Sequence, residues 1–393
     1  MSRRRARSAA PRQAPVVRGP LALAAVVVLV LALVSMTLDL PAALWDRPGL
    51  ADIRASFLEA LGLPTPQPPP PPPGPPGAWY QVYFTTPRYP DRESDHHGGI
   101  DAHLVQLIDA ARQSVDVAAY EVDLDTVADA LLRAKGRGVQ VRLVTDTDNL
   151  DEEPIARLKQ AGIPVVDDSR GAIMHNKFVI VDGEHVWTGS WNLTVNCTYR
   201  NNNNAIAIRS DALARNYAAE FAEMFDRQFG PRSPSQTPAS VITVDGTRIE
   251  NYFAPEDRVA ERILAVVRGA KKSVRFLAFS FTDESLGGVL IERHRAGVSV
   301  SGVVEQRGSD TEYAQYGPLR QAGIDVLADG NPYVMHHKVL IVDEAIVVTG
   351  SFNFSQSADR DNDENVLIIH NPDIARLYLQ EYERIRQRAE AGA

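Results

Sequence analysis

His175 and Lys177 stand two residues apart, and so do His336 and Lys338 in a second stretch 161 residues further on. The stretches are MHNKFVIVDGEHVWTGSWN (174–192) and MHHKVLIVDEAIVVTGSFN (335–353), with eleven of nineteen positions identical. A strand repeated only for packing would keep its Val and Ile and let its His and Lys drift. Here Met, His, Lys, Asp, Gly, Ser and Asn are all held. An imidazole, an ammonium, a hydroxyl and an amide converging on one spot suit a phosphate diester. The lysine would supply positive charge, Ser190 and Asn192 (Ser351 and Asn353 in the second copy) would hydrogen-bond the phosphate, and the histidine would be nucleophile or proton donor.

Alternation along a strand puts residues two apart on one face, so His175 and Lys177 point together, as do His336 and Lys338. Asp182 and Asp343 have the opposite parity, at the strand end, and are expected to brace the turn. Asp182-Gly183 signals a hairpin that brings Gly189-Ser190-x-Asn192 back beside the first strand. In-line displacement at phosphorus needs an attacking group on one side and an acid on the other. One copy has one such histidine, so two copies facing each other across a pseudo-twofold axis would complete one site.

The elements around the motifs also run twice. Amphipathic helices over Leu104, Leu107, Ile108 and over Ile263, Leu264, Val267 precede strands SVDVAAYEV and SVRFLAFSF. Helices ending KGRGV and HRAGV lead to strands VQVRLVTD and VSVSGVVEQ, and helices ending KQAGI and RQAGI lead into the motifs. Alternating strands and helices indicate an α/β unit present in two copies. They are expected over 79–230 and 241–393, joined by the Ser- and Pro-rich GPRSPSQTPAS. RYPDRESDHHGGI (88–100) is an insert of the first copy, with His96 and His97 in a solvated loop or at a substrate lip.

Both stretches match H-x-K-x4-D-x6-G-S-x-N without a gap, and in this the sequence resembles the phospholipase D superfamily over roughly residues 79–393. The resemblance implies a duplicated α/β sandwich, two pseudo-twofold-related halves with mixed sheets sharing one active site. It also implies a phosphohistidine intermediate, with one His attacking phosphorus and the other protonating the departing alcohol. Glu364 lies 28 residues after His336, on DENVLII, where nuclease-like members of the family carry a glutamate that orients the catalytic His. Asn203 stands at the same distance after His175. Paired within its own copy, Glu364 would make His336 the stronger base and leave His175 the easier proton donor. Many two-motif relatives are described the other way round, so the assignment stays open. Two lysines near a phosphate can rival a divalent ion, and His-x-Lys without clustered acids is poor metal-ligand spacing, so no metal or other cofactor is expected.

Net charge is −9, and setting aside six arginines (Arg3, Arg4, Arg5, Arg7, Arg12, Arg18) leaves −15 for the remainder. Such a body has no general pull on polyphosphate, so an anionic substrate must be held by a local basic pocket. The arginines (1–20) precede eighteen uncharged positions, 21–38, about 27 Å of helix. Residues 21–40 are expected to be an uncleaved anchor, or a cleaved signal, with the later residues outside the cytoplasm. Residues 41–78 carry a short helix and the spacer PTPQPPPPPPGPPG. With Cys197 alone, no intrachain disulfide forms. Trp187, Trp191 and Phe352, beside the motifs, read as core, and His337 as packing. The favoured substrate is a phospholipid head-group ester. A nucleic acid, a transfer reaction similar to that of cardiolipin synthases, and a non-enzymatic surface module are the alternatives. Both motifs in one chain imply a monomer.

Overall fold

The computed structural model describes residues 78–392, so the expected anchor at 21–40 and the spacer at 41–77 lie outside the described residues. Among the described residues no helix is long and apolar enough to cross a membrane.

The first copy builds a seven-stranded sheet from β1 (Tyr80–Phe84), β2 (Ser114–Ala119), β3 (Gln140–Thr145), β4 (Val165–Asp167), β5 (Lys177–Val181), β6 (His185–Gly189) and β7 (Asn204–Arg209), in the order β1-β7-β6-β5-β2-β3-β4. The second builds an eight-stranded sheet from β8 (Val241–Val244), β9 (Thr247–Ala254), β10 (Ser273–Ala278), β11 (Ser299–Val304), β12 (Asp325–Ala328), β13 (Lys338–Val342), β14 (Ile346–Gly350) and β15 (Glu364–His370), in the order β12-β11-β10-β13-β14-β15-β9-β8. Without the edge strand β8 the two orders are the same. In each, three strands run parallel (β2-β3-β4, β10-β11-β12) and the rest pair antiparallel, so both sheets are mixed.

The helices α1 (Asp101–Ala110), α2 (Asp125–Gly136) and α3 (Glu153–Gln160) cover the outer face of the first sheet, and α5 (Val259–Arg268), α6 (Glu284–Arg295) and α7 (Tyr316–Gln321) that of the second. The inner faces share one core with α4 (Asp211–Phe225) and α9 (Pro372–Gly392). A short α8 (Gln356–Arg360) precedes β15. Along β5, Phe178 and Ile180 join the shared core while Val179 and Val181 join the outer one. Along β13, Val339 and Ile341 are inside and Leu340 and Val342 outside. Both faces of these strands are covered, which is why they read as continuous apolar runs.

Two turns set the motif hairpins. Asp182 and Gly183 have φ of 55° and 64°, and Asp343 and Glu344 have 53° and 58°, the paired left-handed geometry that matches strand twist. The Asp182 carboxylate accepts from the backbone N–H groups of Arg112, Gln113 and Ser114 at 2.7–3.1 Å, and Asp343 accepts from those of Lys271, Lys272 and Ser273 in the same way. Both acids therefore tie the turn to the start of the neighbouring strand. Burial opposes ionisation of each, but three N–H donors outweigh it and hold both below the usual carboxylate range.

Candidate active site

The strands β5 and β13 begin at the lysines, because the residues just before them leave their own sheets. Met174 bridges to Asp363 and Met335 to Asn202, so each histidine is anchored in the opposite copy. The His175 N–H donates to Asp363 O at 2.9 Å, and the His336 N–H to Asn202 O at 2.9 Å. Acids at the ends of the parallel strands hold the other side. Asp146 accepts from Met174 N–H at 2.8 Å and Glu305 from Met335 N–H at 2.6 Å.

The side chains cross in the same manner. His175 Nδ1 lies 2.7 Å from Glu364 Oε2, and His336 Nδ1 lies 2.9 Å from Asn203 Oδ1. Pairing of Glu364 with His336, expected from the 28-residue spacing, is therefore incorrect. The strand end bearing Glu364 lies against the histidine of the first copy, and that bearing Asn203 against the histidine of the second. The base-strength argument reverses with it, and His175 now has the carboxylate.

Ser190 Oγ donates to Asn203 Oδ1 at 2.9 Å and accepts from Asn204 N–H at 3.1 Å, while Ser351 Oγ accepts from Asn365 N–H at 2.9 Å. Each hydroxyl is tied to the strand end that carries a histidine's partner. Asn192 and Asn353 each bury a carbonyl Oδ1 with no hydrogen-bond partner. The glycines before the serines are fixed by contact. A Cβ at Gly189 would lie 2.3 Å from Asn204 O, and at Gly350 2.1 Å from Asn365 O.

Asn203 can present only its oxygen to His336, because its Nδ2 donates to Cys197 O at 3.0 Å in a π-helical turn over Asn196–Arg200. His336 Nδ1 must then carry a hydrogen, which leaves Nε2 to face the site. Lys177 Nζ donates to His175 O and Lys338 Nζ to His336 O, both at 2.9 Å, so each ammonium keeps two protons for a ligand.

All four groups are nearly inaccessible: His175 is 5 % exposed, Lys177 4 %, His336 7 % and Lys338 2 %. Burial, then the charges of Lys177 and Lys338, push the His175 pKa well below its ordinary value. Burial, then Lys338 and Lys177, do the same to His336. Burial brings Lys177 down to about 8, and burial with Lys177 brings Lys338 well down too. Glu364 is pushed up by burial to about 8, against the pull of Lys177, the Ser351 hydroxyl and Lys338. Buried cations that perturb one another across the copies form one centre, and an anion placed there would oppose the lowering of the histidines and lysines while raising Glu364 further.

Two flanking aromatics escaped the sequence reading. Tyr120 lies edge-on to His175 with ring centroids 5.3 Å apart, and Lys177 Nζ is 5.2 Å from its centroid. Phe279 lies edge-on to His336 at 4.5 Å and 4.6 Å from Lys338 Nζ. Each is the residue following β2 or β10, and that equivalence was the available signal. Trp187, Trp191 and Phe352 are core residues. His337 is fully buried between Asn204 and Glu381. In the insert, His96 stacks on Tyr199 and bonds Asp91, which Arg200 also holds.

The rims of the two copies differ in charge. Glu121 follows Tyr120 and lies near Asp123, Glu152 and Lys177, and burial, with those two acids, raises its pKa. Ser280 and Thr282 occupy the equivalent places of the second copy.

A human mitochondrial cardiolipin hydrolase is 39 % identical to this chain over 124 residues, covering 32 % of this chain and 49 % of that one. The chain thus spans about half the length of that relative. A phospholipase D of Rickettsia prowazekii is 32 % identical over 143 residues, 36 % of this chain and 70 % of that protein. The solved phosphatidylserine synthase of Haemophilus influenzae matches the fold over 78 % of this chain and 86 % of its own, at 14 % identity and a TM-score of 0.59. The family model for the cardiolipin synthase, PLD-like domain fits twice, over residues 104–225 and 263–386. Those two spans hold both H-x-K motifs and both histidine partners, and by them the chain belongs to the phospholipase D-like family.

Proposed function

We propose that the chain is a phospholipase D-type phosphodiesterase that hydrolyses a phospholipid head-group ester at a centre shared by its two copies, acting as a monomer. The observation that carries the reading is the crossed pairing of the histidines with unlike partners. His175, with Glu364 on Nδ1, is the nucleophile. Burial holds the free carboxyl up to about 8, and once ionised it fixes the Nδ1–H tautomer and raises the electron density at Nε2. His336, with the neutral Asn203 amide on Nδ1, gives up its Nε2 proton more readily and is the acid.

In the first step His175 Nε2 attacks phosphorus, the bond to the departing oxygen breaks, and that oxygen takes the Nε2 proton of His336. A phosphatidyl group is left on His175. In the second step His336 Nε2, now a base, takes a proton from water, the water oxygen bonds to phosphorus, and the phosphorus–nitrogen bond breaks. The free ammonium protons of Lys177 and Lys338 stabilise the charge on the non-bridging oxygens through both steps. The amides of Asn192 and Asn353 lie in the same motifs and are assigned to orient the phosphate.

A lipid is favoured over a nucleic acid by the rim. Glu121, Asp123 and Glu152 would repel the neighbouring phosphates of a polynucleotide, whereas a single diester avoids them. Relatives named phospholipase D and cardiolipin hydrolase support the same choice. An outward-facing membrane location, through 21–40, would place the centre beside its substrate.

The test offers the purified full-length chain phospholipid vesicles and single-stranded DNA in parallel, in EDTA, with His175→Asn as control. Head-group release that the variant lacks is expected. DNA cleavage without head-group release would overturn the lipid reading.

A further inference from the structure

Behind the catalytic centre the two copies differ in one buried cluster. Glu220 of α4 and Glu381 of α9 are equivalent residues, 161 positions apart, as are Glu223 and Arg384, and Asn176 and His337. In the second copy the buried Glu381 carboxylate accepts from Arg384 Nε at 2.7 Å and Nη2 at 2.6 Å, and lies 3.1 Å from His337 Nε2. A cation there matches a fully buried acid, as burial demands. In the first copy the position of the arginine holds Glu223 instead. A third acid, Glu256, arrives from the turn after β9.

Carboxylate oxygens of Glu220, Glu223 and Glu256 all lie within 4.8 Å of one another. Glu220 and Glu223 are one turn apart on α4 and so project from one face. Ser233 Oγ donates to Glu223 at 2.9 Å, but no basic side chain among the described residues pairs with any of the three acids. Asp363, whose charge bears on Glu220 and Glu256, is itself paired with Arg170. Two further atoms point to a ligand. Glu256 buries an Oε2 with no partner. Asn176 is 0 % exposed and donates from Nδ2 to Glu220 Oε1 at 3.3 Å, while its Oδ1 has no partner, so a half-turn of the amide would exchange the donor for a ligand oxygen at the cluster.

We propose that Glu220, Glu223 and Glu256, with the amide of Asn176, hold a divalent metal cation of the hard, oxygen-binding class, at the place the Arg384 guanidinium takes in the second copy. The donors are all oxygen, which selects calcium, magnesium or manganese over zinc or copper. Oxygens about 2.3–2.6 Å from a calcium ion stand up to about 5 Å apart across it, a span these carboxylates already have. The ion takes no part in the phosphoryl chemistry. It ties α4 of the first copy to β9 of the second, beside Asp363, whose neighbour Glu364 reaches His175. Glu220 and Glu256 are both raised by burial and by neighbouring acids, so a proton shared between them is the rival occupant.

The experiment uses the full-length chain dialysed against calcium-free buffer, with calcium chloride as the probe. Bound metal is counted by mass spectrometry, and melting is followed in calcium and in EDTA. One ion per chain is expected, with a melting temperature about 5 °C higher in calcium. Glu223→Arg, which rebuilds the second copy's pairing, is expected to bind no ion and to melt alike in both buffers. If that variant does not fold, Glu256→Gln serves in its place and is expected to lose the ion. Equal melting of the native chain in both buffers with no metal retained would overturn the proposal. Retention of the ion by the variants would overturn it as well, since the ion would then sit elsewhere. Head-group release in EDTA, assayed well below the melting temperature, is expected to be unchanged.

Discussion

Glu364 and Asn203 are equivalent residues, and each bonds the histidine of the copy to which it does not belong. One presents a carboxyl and the other an amide, so two imidazoles that burial and the same two lysines hold well below their ordinary pKa have unlike partners on Nδ1.

Glu364→Gln keeps the shape and removes the group that can ionise. We expect kcat/KM to fall by about 10²–10³-fold, from a less basic nucleophile and a tautomer no longer fixed. Asn203→Asp does the reverse at the acid. It should hold the His336 proton more tightly and move the alkaline limb of the pH–rate profile upward. A profile that Asn203→Asp leaves unshifted would count against His336 as the acid.

The nucleophile can be identified with a diester carrying a p-nitrophenyl leaving group, which needs no proton. His336→Asn should still form the covalent intermediate on that substrate, and mass spectrometry of quenched enzyme should find the added group on His175. His175→Asn should form none. The group on His336 instead would reverse the assignment.

Glu364 and Glu305 have folded-state pKa values raised to about 8 and about 7, above their ordinary carboxyl values. Between those ordinary values and the raised ones the folded chain binds more protons than the unfolded chain. Stability from these groups is therefore full at low pH and declines as pH rises from about 5 to about 8. Melting temperature should fall across that window, and by less in Glu364→Gln. Lys177 acts at higher pH. Its charge in the free enzyme is lost above about 8, so kcat/KM for an anionic diester should decline there.

Asp182→Ala removes the acceptor of three backbone N–H groups far from the phosphate. It should cost about 2–3 kcal/mol of stability by denaturant unfolding, with kcat per folded molecule unchanged. A large loss of kcat in folded protein would make Asp182 more than a brace.

Gly350→Ala places a carbon against Asn365 O on the neighbouring strand. The strands must separate, at about 3 kcal/mol or more, and most of the variant is expected in the insoluble fraction.

Much of this was legible in the chain. Repetition of His, Lys, Asp, Gly, Ser and Asn marked the centre, aspartates opening each hairpin marked the braces, and alternating apolar runs marked the sheets. The pairing of Glu364 was not legible, because a spacing counted along the chain identifies equivalent residues without saying which copy's strand end a histidine faces. The bonds of the serine hydroxyls were not legible for a related reason: they go to Asn203 and Asn204 and to Asn365, on the strand ends that carry the orienting residues. Tyr120 and Phe279 read as ordinary apolar residues within the strands SVDVAAYEV and SVRFLAFSF. Glu220, Glu223 and Glu256 carry no periodic signal, since two belong to an amphipathic helix and the third to a turn.

The histidines' dependence on the opposite copy has an evolutionary corollary. In an assembly of two identical single-copy chains, any change at the position of Glu364 would appear at both histidines at once. Joining the copies in one polypeptide lifts that constraint, so one lineage of the motif could keep an acid while the other drifted to an amide. The carboxyl and the amide that identical subunits could not carry separately are here distinguished by inheritance.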